Sequence, residues 1–126
     1  MILAAFAIGT LFFNSGLSGT ASPAPHVVGT LPENGARIAP GPFTLRVTFD
    51  RPMASGRWSF VNVAQAVYPN CDGKPVQSPD RRSFTMQCRA IAGTNYAIGF
   101  NGGRFQNFRA ENGQAAIPHL LRFSAR

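Results

Sequence analysis

Residues 43–52 read Phe43-Thr44-Leu45-Arg46-Val47-Thr48-Phe49-Asp50-Arg51-Pro52. Phe43, Leu45, Val47 and Phe49 alternate with Thr44, Arg46 and Thr48. A period of two is that of an extended strand with one face turned to a core and the other to water. A helix would space its apolar residues three or four apart. Asp50-Arg51-Pro52 stops the strand, because proline has no backbone donor for a sheet ladder.

The same signal recurs on both sides of this stretch. Downstream, Phe84, Met86 and Cys88 alternate within 83–88, Tyr96, Ile98 and Phe100 alternate with Ala97 and Gly99, and Leu121 and Phe123 mark a last strand. Upstream, His26 to Leu31 is a first short strand, closed by the turn Pro32-Glu33-Asn34-Gly35. Trp58 to Val63 is expected to be a third strand. Pro69 to Asp80 is rich in turn formers, with one weak strand around Val76. Asn101 to Ala116 is expected to be a long loop. About seven short strands with turns between them and no amphipathic helix predict an all-β antiparallel sandwich, since a parallel sheet would need crossover helices.

Composition agrees. The 126 residues make room for one domain, and 13 glycines, 10 prolines and only 13% charged residues argue against a helical bundle. Eleven phenylalanines can supply the core. The net charge of +7 favours anionic partners. The arginines are nevertheless scattered, with only Arg81 and Arg82 adjacent, and no nucleic-acid motif is present, so nucleic acid is not an expected partner.

Residues 2–13 are apolar and uncharged, and small residues follow up to Ala21. This pattern predicts a signal peptide over 1–21, although the positive residues that usually precede the apolar run are missing. Residues 22–25, Ser-Pro-Ala-Pro, read as a linker, and 26–126 as the domain. The apolar run is shorter than the roughly 20 residues of a membrane-spanning helix, so membrane attachment is expected only through an uncleaved signal segment. A periplasmic or extracellular location follows. Cys71 and Cys88, an even pair in an exported chain, are expected to form a disulfide; a metal site would need further ligands at closer spacing.

Leu31-Pro32-Glu33-Asn34-Gly35-Ala36, followed by Leu45 to Met53 with its Phe49-Asp50-Arg51-Pro52-Met53 ending, resembles the opening of bacterial immunoglobulin-like domains of the type-5 group. Gly93-Thr94-Asn95-Tyr96 and the ending Asn112-Gly113-Gln114 to Phe123 resemble the later turns of those domains. The resemblance covers residues 26–125 and implies an immunoglobulin-like sandwich of about seven strands, used as a binding or structural module of the cell envelope with no catalytic residues. A weaker similarity is to periplasmic copper-binding proteins of the copper-resistance type, whose mature chain begins at a copper-ligating histidine. His26 occupies that place and His119 lies near the position of their later histidine, but the Asp-Gly-His motif is replaced by Glu111-Asn112-Gly113-Gln114. A copper carrier is therefore the alternative function.

The five carboxylates, Glu33, Asp50, Asp72, Asp80 and Glu111, fall in expected turns or strand ends, where they bond local backbone. No Ser-His-Asp or Cys-His arrangement is present, so neither an enzyme nor a cofactor is expected. The segment Phe100-Asn101-Gly102-Gly103-Arg104-Phe105-Gln106-Asn107-Phe108-Arg109 stands out. Arg104, Phe105, Phe108 and Arg109 on one loop are the candidate binding residues, for an envelope protein or a glycan. The competing reading is that one or both phenylalanines turn inward and plug the sandwich.

Overall fold

The structure is a computed structural model that describes residues 23–126. The expected signal peptide, 1–21, and Ser22 lie outside the described residues. Eight strands and no helix are found among them: β1 (Val27–Leu31), β2 (Arg37–Ile38), β3 (Gly41–Phe49), β4 (Phe60–Val61), β5 (Asn70–Gln77), β6 (Ser83–Ala90), β7 (Asn95–Phe100) and β8 (His119–Ala125).

The strands form two sheets of four, in the orders β2-β8-β7-β4 and β1-β3-β6-β5. The second sheet and the β8-β7-β4 part of the first reproduce the strand order of an immunoglobulin-type sandwich. All pairs are antiparallel except the short β2–β8 pair, which is parallel.

β3 behaves as its alternation predicts, with Leu45, Val47 and Phe49 at most 1% exposed and Arg46 in water. Phe84, Ile98, Phe100, Leu121 and Phe108 complete the centre of the core. The Asn34-Gly35 turn is fixed from outside. Asn34 Oδ1 accepts the Arg122 N–H at 2.9 Å, and the Gly35 N–H donates to the Arg122 carbonyl at 2.7 Å. Gly35 sits at φ +83°, where a side chain would be strained.

Three expectations change. Trp58 to Val63 contracts to the two residues of β4, which pair only with Phe100 and Gly99 of β7. The turn-rich stretch 69–80 instead holds an eight-residue edge strand, β5. It is held because Cys71 lies directly opposite Cys88 of β6 and the two are joined by a disulfide. The pairing slips between Asp72 and Val76, so Gly73, Lys74 and Pro75 leave the ladder. An edge position and a bulge are the places where a sheet tolerates proline and glycine. The third change is in the expected linker. Pro25 is fully buried and its carbonyl accepts the Ile117 N–H at 2.9 Å, while the Pro23 carbonyl accepts from Arg51 at 2.8 Å. The domain's contacts thus include Pro23 and Pro25 of the expected linker.

Candidate functional site

The long segment after β7 is an ordered structure rather than an open loop, and Asn101 organises it. This residue is 2% exposed and takes φ +62°, a left-handed conformation that asparagine tolerates better than most residues. Its side-chain amide donates to the carbonyls of Phe108 (2.9 Å) and Ala116 (3.0 Å), and its Oδ1 accepts the Phe108 N–H at 2.9 Å. Three buried hydrogen bonds from one side chain hold both limbs of the segment against the end of β7.

Beyond Asn101 the chain makes a tight turn at Gly103-Arg104. Gly102 and Phe105 exchange two backbone hydrogen bonds of 2.8 Å, with Gly103 at φ +54°. The Asn107 N–H then returns to the buried Ser59 hydroxyl at 2.9 Å. A second turn follows, in which the Gly113 N–H donates to Ala110 and the Ala110 N–H to Gln114, both at 2.9 Å.

These constraints send the two phenylalanines in opposite directions. Phe108 is 0% exposed, with its ring centroid 5.0 Å from those of Phe49 and Phe84 and 5.3 Å from that of Phe60. It is a core residue and takes no part in a binding surface, which corrects its placement among the candidate binding residues. Phe105 remains 49% exposed, and the Arg104 guanidinium lies 5.1 Å from its ring centroid. The Arg109 side chain folds back to the Gly113 carbonyl at 2.9 Å, and its buried Nε has no partner among the described residues. Of the four candidates, only Arg104 and Phe105 stand together on the surface.

Phe105 belongs to a cleft of about 360 Å³ at one side of the sandwich. The two walls are the edge strands that close each sheet there. Trp58, Ser59 and Phe60 come from the β4 side, and the displaced Gly73-Lys74-Pro75 of β5 form the opposite lip. Met86 and Tyr68 line the interior, while Phe105 and Asn107 contribute from the segment held by Asn101. Trp58, Phe60, Tyr68 and Met86 are half-buried and pack against the core. The floor is thereby continuous with the interior. Burial pushes the Tyr68 phenol above its ordinary pKa of 10.0, so it is a neutral hydroxyl at physiological pH.

Several polar groups here are unused. Among the described residues, the Trp58 indole N–H, the Tyr68 hydroxyl, the Lys74 ammonium and the Asn107 side-chain amide make no hydrogen bond. Among the described residues, no carboxylate lines the cleft. Sequence reasoning found only Phe105 of this set. Trp58, Tyr68, Lys74 and Asn107 are brought together by the pairing of the sheets, which no local sequence signal announces.

The histidines lie elsewhere. His26 Nδ1 is 3.3 Å from Asp50 Oδ2, and Asp50 is clasped by Arg51, with Nη2 at 2.7 Å and Nε at 3.1 Å. The Arg51 hydrogen bond, helped by the His26 N–H, holds the Asp50 carboxyl below the usual value of 3.8 despite the opposing cost of burial. His119 stacks on Phe100 at 6.3 Å, and burial lowers its pKa below 6.5. No group of three or more His, Cys, Asp or Glu able to hold a metal is found among the described residues. No protein-family model matches this sequence, and no curated protein matches it.

Proposed function

We propose that this chain is an exported, non-catalytic immunoglobulin-like module of the cell envelope that binds its partner in the cleft between β4 and β5. The observation that carries the reading is the cleft itself. It places half-buried Trp58, Phe60 and Tyr68 beside exposed Phe105, with several hydrogen-bonding groups left unused. A concave, largely pre-formed site with aromatic walls and a few polar groups is the usual form of a ligand pocket. Phe105 supports the same reading, because a large exposed ring on an otherwise well-anchored turn costs free energy unless something covers it.

Binding suits this lining better than catalysis. General acid–base work needs titrating groups that converge on one point, and the side chains around the cleft that can titrate are Lys74 and Tyr68. The Cys71–Cys88 disulfide supports an oxidising compartment, in keeping with the periplasmic or extracellular location read from residues 1–21. The strand order supports kinship with the bacterial immunoglobulin-like domains that the turn motifs resemble.

The test is retention of cell-envelope fractions, glycan and protein separately, on the immobilised domain. The wild type should retain a component that Trp58→Ala and Phe105→Ala do not, with both variants folded by circular dichroism. Equal retention by wild type and both variants would defeat the reading.

A further inference from the structure

We infer that the cleft takes an acidic saccharide, with a carboxylate-bearing sugar ring laid on its aromatic walls. This deepens the proposed function and rests on the cleft being the binding site. Two features of a sugar match two features of the lining. The C–H-bearing face of a pyranose ring is weakly apolar and slightly positive at its hydrogens, and it settles on the electron-rich face of an indole, phenol or phenyl ring. Trp58, Tyr68 and Phe105 offer such rings at one site. The rim of a sugar carries hydroxyls that need hydrogen-bond partners. The free Tyr68 hydroxyl and the Asn107 amide can each both donate and accept.

The charge decides between neutral and acidic sugars. The Trp58 indole and the Lys74 ammonium are donors only. Lys74 is exposed on the displaced lip of β5, has no partner among the described residues, and faces no carboxylate in the lining. With no ion-pair partner among the described residues, this ammonium is open to a ligand carboxylate, which it would hold by a charge-assisted hydrogen bond. The chain's net charge of +7 adds a general attraction for an anion. A single lysine in the lining favours a saccharide over a single-stranded nucleic acid, whose repeated phosphates are tracked by a groove with several cations. The volume of about 360 Å³ lies at the small end of ligand pockets (roughly 300–1,000 Å³), which suits a short stretch of a glycan chain.

Trp58 is the only tryptophan in the sequence, so its fluorescence reports on this cleft alone. The experiment titrates the oxidised domain with trigalacturonate and with its methyl ester, which keeps the rings and removes the charge. A short oligothymidylate and a polyproline peptide are the comparison ligands. Trigalacturonate should change the emission saturably and bind at least tenfold more tightly than the ester. Lys74→Gln should erase that preference, bringing the acid's affinity down to about that of the ester. Equal binding of acid and ester would overturn the acidic assignment and leave the cleft in place as the site. Tighter binding of the oligothymidylate or of polyproline would overturn the saccharide assignment in the same way. Silence from all four probes would also overturn it. The cleft reading itself falls if Trp58→Ala and Phe105→Ala retain envelope material as the wild type does.

Discussion

Replacing Phe108 and Phe105 separately by alanine should give two very different proteins, although the residues lie three apart in one turn-rich segment. Phe108 is fully buried and its ring lies within 5.0–6.3 Å of the rings of Phe49, Phe84, Phe60 and Phe100. Truncating such a ring removes its transfer free energy and leaves a cavity, together about 3–5 kcal/mol. Each aromatic pair adds roughly 0.5–1.5 kcal/mol beyond area burial, which puts the loss toward the upper end. Domains of this size are stable by only about 5–15 kcal/mol. Phe108→Ala should therefore lower the melting temperature by roughly 15–30 °C. Phe105 is half exposed, and its one aromatic-type contact is the surface Arg104 guanidinium, a pairing that stabilises by about 0.5–1 kcal/mol. Phe105→Ala should cost about 1 kcal/mol or less. Urea unfolding followed by circular dichroism measures both. Similar losses for the two variants, in either direction, would refute the division of this segment into one core ring and one surface ring.

Further outcomes follow from the same structure. Asn101→Ala removes the buried partner of the Phe108 N–H and the Ala116 carbonyl, while the Phe108 carbonyl keeps the Ala116 N–H; it should cost about 3 kcal/mol, read by the same urea titration. The native protein should show no free thiol under denaturing, non-reducing conditions, and reduction of Cys71–Cys88, which are 17 apart in sequence, should lower stability by about 3 kcal/mol. Acid should act in two windows. His119 has a folded pKa below 6.5 because burial opposes its charge, so the unfolded chain binds the proton first and stability falls as pH drops below 6.5. Asp50 has a folded pKa below 3.8, so what its ionised form contributes is intact above 3.8 and is lost as pH falls below it. Melting curves from pH 8 to 2 should lose the first step in His119→Gln and shrink the second in Asp50→Asn.

The parts of this fold that local sequence could announce were the strands with one wet and one dry face. Leu45, Val47 and Phe49 alternate because β3 lies inside its sheet with one face on the core, and no distant partner is needed to see it. β5 carries Gly73 and Pro75 and no regular alternation, because it is an edge strand interrupted by a displaced lip; the disulfide and the β6 ladder place it, and neither is local. Composition marked the segment from Asn101 to Arg109 as unusual, yet gave no direction to its rings. That direction comes from the three hydrogen bonds of Asn101, which turn Phe108 inward and leave Phe105 at the rim. The cleft was the least legible feature, since Trp58, Tyr68, Lys74 and Phe105 meet only once both sheets are assembled.

The most direct test of binding at this cleft is the Trp58 indole N–H resonance in a nitrogen-15 correlation spectrum of the oxidised domain, recorded as a retained envelope component is added. One tryptophan gives one such signal. That signal should move saturably, together with the backbone amides of Gly73, Lys74, Phe105 and Asn107, and the movement should vanish in Tyr68→Ala. A bound component that leaves the Trp58 signal in place while shifting amides on β1 or β2, at the opposite side of the sandwich, would contradict it.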